Sequence, residues 1–76
     1  MIKEHDCLVL TKDLPEEGLE PGDIGTVVHF HTGGEAYEVE FMTLTGETVA
    51  LVTLLAGQVR PFNRRDLAPT RELTPA

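Results

Sequence analysis

Tryptophan is absent and cysteine occurs once, at Cys7. A single thiol excludes an internal disulfide framework, so a chain of 76 residues must rely on its hydrophobic core. That cysteine usage fits a reducing compartment, and a cytoplasmic setting is expected. No apolar run approaches the roughly 18 residues of a membrane span. Residues 1–6 lack the apolar segment of a secretory signal. Cations are scarce: six lysines and arginines stand against thirteen aspartates and glutamates, a net charge of −7. Such a body repels phosphate backbones, which argues against nucleic-acid binding. No ten-residue amphipathic helical period, internal repeat or low-complexity tract is present.

The charge is also unevenly placed. Residues 1–59 carry Lys3 and Lys12 against eleven acidic side chains, whereas residues 60–76 carry four arginines against Asp66 and Glu72. An acidic body of this kind favours a basic protein partner.

What the chain does contain is β pattern punctuated by turns. Pro21 presets φ and Gly22 permits φ > 0, so the two predict a tight turn directly before an apolar β-branched run. Gly25 inside that run predicts a bulge or a close crossing by another chain segment. Strands are expected over residues 6–12, 24–31, Ala36–Met42, Thr48–Leu55 and 58–62, with residues 67–73 as a last edge strand or a covering tail. Leu14 and Leu19 are expected to tuck the long acidic loop 13–22 against the core. In Ala36–Met42 the residues Tyr37, Val39 and Phe41 share one face while Glu38 and Glu40 share the other. The segment from Thr48 to Leu55 is apolar on both faces, so either a tail or a second copy of the chain is expected to cover it. Pro61 confines the fifth strand to an edge.

A long first loop, a three-stranded meander, a short turn and a final strand predict an all-β fold, a small SH3-like barrel of five to six short antiparallel strands. One domain spans residues 1–76, with residues 1–5 and 74–76 expected to fray. Four blocks in order, residues 9–16, 22–28, 36–41 and 59–61, make the chain similar to a bacterial domain-of-unknown-function family, family 4926. The resemblance implies an SH3-like barrel with no established activity and no catalytic residues to carry over.

The chemistry-bearing residues divide into three groups. His29 and His31, two apart on one strand, present two imidazoles for a metal or small ligand, with His5 as a third donor. The same alternation would turn Val28 and Phe30 inward. Cys7 beside His5 or His29 would make an activated nucleophile, against the commoner role of a lone strand cysteine as a small buried hydrophobe. Glu38 and Glu40 on the sheet, and Glu16 and Glu17 on the long loop, form acidic surfaces for docking; an open pair of this kind lacks the walls of a carboxylate-based hydrolase. Arg60, Arg64 and Arg65 form the basic cluster, expected to pair with the acidic loop or a neighbouring subunit. The loop at residues 15–18 occupies the position that binds proline-rich peptides in SH3 domains, but one tyrosine and no tryptophan cannot line such a groove. The expectation is a non-enzymatic module without cofactor, an antitoxin-like or immunity-like partner of a basic protein. Self-association through Thr48 to Leu55 is a second mode of contact, and a metal or ligand site at His29 and His31 is the alternative function.

Overall fold

Strict two-residue alternation in Ala36–Met42 makes this strand the template on which the sheet is laid. The structure is a computed structural model and describes residues 2–31, 33, 35–67 and 71–73. Five strands form one antiparallel sheet: β1 (Cys7–Leu10), β2 (Ile24–Phe30), β3 (Ala36–Met42), β4 (Thr48–Leu55) and β5 (Val59–Pro61). Their spatial order is β4-β3-β2-β1-β5. The described residues hold no α-helix, only 3-10 turns at Pro15–Glu17, Ala56–Gln58 and Arg64–Asp66. The all-β expectation is met. Pro61 lies on an edge strand, as its missing N–H requires.

A short connection forces this sheet to curl. Strands β4 and β5 stand at opposite edges yet are joined by the three residues Ala56–Gln58. In a flat sheet the two edges would lie roughly 19 Å apart, four spacings of about 4.8 Å. A 3-10 turn with its flanking bonds advances only about 8 Å. The sheet therefore bends into an open, barrel-like form. One core fills its inner face: Leu8 and Leu10 from β1, Val27 from β2, Tyr37, Val39 and Phe41 from β3, with residues of β4 and β5 closing it. Leu19 is buried and Leu14 packs beside it, and their main chains exchange two hydrogen bonds of 2.9 and 3.0 Å.

Gly25 earns its place by contact. A Cβ there would sit 2.5 Å from Val39 Cγ1 and 2.9 Å from Phe41 Cε2. The glycine lets Phe41, the largest fully buried side chain among the described residues, lie directly over β2. Gly22 has φ +98°, and Asp23 N–H donates to Glu20 C=O at 3.1 Å, closing the expected turn.

Three side-chain placements are corrected. Val28 does not point inward: the β2–β3 register shifts between Val27 and His29, so Val28 is the extra residue of a bulge and is 39% exposed. Val27 is the buried residue, and Phe30 lies at the rim, stacked on Tyr37 with ring centroids 6.1 Å apart. Cys7 is exposed rather than buried: Leu8 and Leu10 take the inner face of β1, and alternation leaves Cys7 on the other. Within the N-terminal segment, Ile2 joins the core, and His5 N–H donates to Val27 C=O at 2.7 Å. The tail adds no strand among the described residues 71–73, although Leu73 enters the core. Met1 and residues 74–76, where fraying was expected, lie outside the described residues.

Gly25→Ala is expected to destabilise the fold by roughly 1–3 kcal/mol through overpacking against Val39 and Phe41. Gly57→Ala meets nothing within 4 Å. It should be neutral or stabilising by about 0.4–1 kcal/mol. Urea denaturation of the two variants beside the parent chain checks both.

Candidate functional site

The long loop, residues 13–22, joins β1 to β2. Its 3-10 turn Pro15–Glu17 stands opposite β4, leaving a groove of about 490 Å³ between them. Asp13, Glu16 and Glu17 line it from the loop, Leu51 to Leu54 line it from the strand, and Gln58 joins them. Leu14 and Pro15 add apolar surface to the loop side. Among the described residues, the Asp13, Glu16 and Glu17 carboxylates have no hydrogen bond or ion pair. They are three solvated negative charges along a groove whose lining mixes polar and apolar side chains.

A buried carboxylate holds this loop in place. Asp23 is only 2% exposed and accepts from Glu20 N–H at 2.9 Å. Arg71 clamps it from the tail, with Nε to Oδ1 and Nη2 to Oδ2 both at 2.8 Å. Arg71 Nη2 also donates to Gly18 C=O at 2.7 Å, so one guanidinium ties the tail to both ends of the loop's second half. Planar fork geometry and fixed charge suit arginine to this role. The Asp23 carboxylate raises the Arg71 pKa further still. Neither residue stood out in the sequence as a pair. Asp23 read as a turn residue, and its partner lies 48 positions away.

The other acidic pair is engaged internally. Glu38 accepts from Thr53 Oγ1 at 2.6 Å, and His31 Nε2 lies 2.8 Å from the same oxygen. The Thr53 hydrogen bond first, and His31 second, hold the Glu38 carboxyl below the usual carboxylate range. Glu40 accepts from Thr48 Oγ1. Both glutamates project from the outer face of β3, as their alternation required, and neither lines the groove. The structure thus separates Glu16 and Glu17 from Glu38 and Glu40.

The bulge at Val28 turns His29 and His31 to the same outer face, with ring centroids 5.4 Å apart and edge-on. His29 Nδ1 lies 3.6 Å from Glu4. Among the described residues no three His, Cys, Asp or Glu side chains gather where they could hold a metal ion. No hydrogen bond joins Cys7 to a histidine there either. The basic cluster also divides. Arg60 grips Asp66 through Nη1 and Nη2 at 3.1 and 2.6 Å, which lowers the Asp66 pKa and raises that of Arg60. The expected pairing of this cluster with the acidic loop is made by Arg71 instead. Arg64 and Arg65 are exposed, carry no ion pair among the described residues, and line no part of the groove.

Two tests follow from these contacts. Asp23→Ala removes a buried acceptor of three hydrogen bonds and is expected to cost roughly 1.5–3 kcal/mol. The lower end is favoured because the Arg71 guanidinium is already two-fifths exposed and rehydrates readily. For Glu38 the folded pKa is depressed, so its stabilisation is full above the unfolded value and lost as pH falls through the folded one. The urea midpoint of Glu38→Gln should lie below that of the parent chain at neutral pH and converge with it in acid below the usual carboxylate range.

No curated protein and no solved structure matches the chain. The segment from residue 4 to residue 61, which contains all five strands, matches the family described as a domain of unknown function, DUF4926. The chain belongs to that family.

Proposed function

We propose that the chain is a protein-interaction module rather than an enzyme, and that its groove receives a basic protein partner. The observation that carries this reading is that three unengaged carboxylates, Asp13, Glu16 and Glu17, line one concave surface with Leu51, Val52 and Thr53 of β4. Apolar contact supplies burial, while the rim charges steer encounter and reject acidic competitors. The net charge of −7 extends that steering beyond the groove. An antitoxin-like or immunity-like role is the form of the proposal in which a basic surface is masked by this acidic one. Nucleic acid and anionic membrane are poor partners on the same electrostatic ground. Among the described residues no helix is long and apolar enough to cross a membrane. The unpaired, exposed Cys7 fits a reducing cytoplasm.

Tagged protein in its host's lysate is expected to retain a basic protein at low salt and release it at high salt. Replacing Asp13, Glu16 and Glu17 together with Asn, Gln and Gln should weaken that capture at least tenfold. Glu38→Gln with Glu40→Gln should leave it within about twofold, because those carboxylates already serve Thr53, His31 and Thr48. Retention that ignores both salt and the triple replacement would contradict the reading. The alternative of a metal site at His29 and His31 is decided by zinc titration calorimetry, with His29→Ala and His31→Ala as controls. The expected result is no heat above buffer.

A further inference from the structure

The two edges of the sheet are finished differently. Strand β5 is three residues long and carries Arg60 and Pro61, devices that block pairing with another strand. Strand β4 is eight residues long, uncharged, and free of proline and glycine. Leu51 and Leu55 on it are 60% and 58% exposed. Nothing in its sequence protects it from pairing.

Hydrogen-bond phase identifies which main-chain groups β4 leaves free. Ala56 N–H donates to Glu35 C=O, and these two residues continue the register Ala36↔Leu55. Antiparallel ladders alternate, so the β4 residues bonded to β3 are Leu54, Val52 and Ala50. The main chains of Leu51, Thr53 and Leu55 therefore face away from the sheet. Leu55 N–H is satisfied by Gln58 Oε1 at 2.8 Å. Among the described residues, no hydrogen bond reaches the N–H or C=O of Leu51 or Thr53. Both residues line the same groove as Asp13, Glu16 and Glu17.

We infer that the partner contributes an extended basic segment that adds to the edge of β4, its main chain bonded to Leu51 and Thr53 and its lysines or arginines turned to the loop carboxylates. This deepens, and rests on, the reading of the groove as the site for a basic protein. Strand addition supplies main-chain hydrogen bonds, and alternate side chains supply recognition. Every second residue of such a segment falls on the same side, roughly 7 Å apart. That spacing lets successive cations meet the row of carboxylates. A second copy of this chain is the wrong occupant, because it would bring another net charge of −7 against the same acidic rim.

The test uses the full chain, isotopically labelled, and a ten-residue peptide alternating lysine with valine. Amide hydrogen exchange is followed with and without saturating peptide. Leu51 and Thr53 amides should exchange at least tenfold more slowly with peptide, while Val52 and Leu54, already bonded to β3, change little. Leu51→Pro removes one outward donor without touching the β3 ladder. It should weaken the peptide at least tenfold relative to Leu51→Ala, and near-parent circular dichroism would show that the proline variant is folded. Should that variant misfold, peptide N-methylated at alternate residues must lose the same affinity. Salt-sensitive peptide binding with unchanged Leu51 and Thr53 exchange would overturn strand addition and leave the acidic groove standing. Absence of peptide binding beside a persisting, charge-dependent protein capture would do the same. Protection that rises with protein concentration alone would instead assign the edge to a second copy. Failure of both peptide binding and capture would remove the underlying reading as well.

Discussion

The Asp23 carboxylate is the constraint on which the loop and its groove depend. It sits at the mouth of β2, out of water, and accepts hydrogen bonds from the turn before it and from the tail far beyond it. A buried carboxylate without partners would be costly, so Arg71 and Glu20 N–H must both stay in place. Satisfying the charge fixes the Pro21-Gly22 turn, draws in the tail that delivers Leu73 to the core, and holds Gly18 C=O. The loop is thereby held as a standing wall. Its far end, with Asp13, Glu16 and Glu17, can remain fully solvated because the near end is anchored.

The second constraint is the short β4–β5 connection. Three residues joining opposite edges curl the sheet, and curling brings β4 under the loop rather than out to the side. Gly25 makes the curl compatible with a full core by letting Val39 and Phe41 lie against the backbone of β2. Fold and groove therefore have a common origin. The groove is the space left between a pinned loop and an edge strand that the curl has turned toward it.

Much of this was legible in the sequence wherever the signal was local. The alternation Tyr37-Val39-Phe41 against Glu38-Glu40, the Pro21-Gly22 turn, the crowding at Gly25 and the tucked Leu14 and Leu19 each follow from a few adjacent residues. Other features were not local. The bulge at Val28 inserts a single residue, and the segment Ile24–Phe30 reads equally well with or without it. The faces of β4 were ambiguous because Ala50, Val52 and Leu54 differ little in hydrophobicity from Val49, Leu51 and Leu55. Only pairing with β3 assigns them. The Asp23–Arg71 clamp spans most of the chain, and neither residue belongs to a recognisable motif. Of the acidic residues, Glu16 and Glu17, expected on a docking surface, line the groove, and Asp13, which read only as loop, lines it beside them. Glu38 and Glu40 looked equally available until Thr53, Thr48 and His31 were seen to engage them.

The most direct test of the central claim, that the pinned loop and the β4 edge form one basic-segment site, is a backbone chemical-shift map of the labelled chain. It would be titrated with an oligolysine peptide, first at low and then at high salt. The account predicts shifts confined to residues 13–17 and 51–55 and to Gln58 at low salt, collapsing when salt is added. Shifts centred instead on Glu38 and Glu40, or spread evenly over the acidic surface, would contradict it.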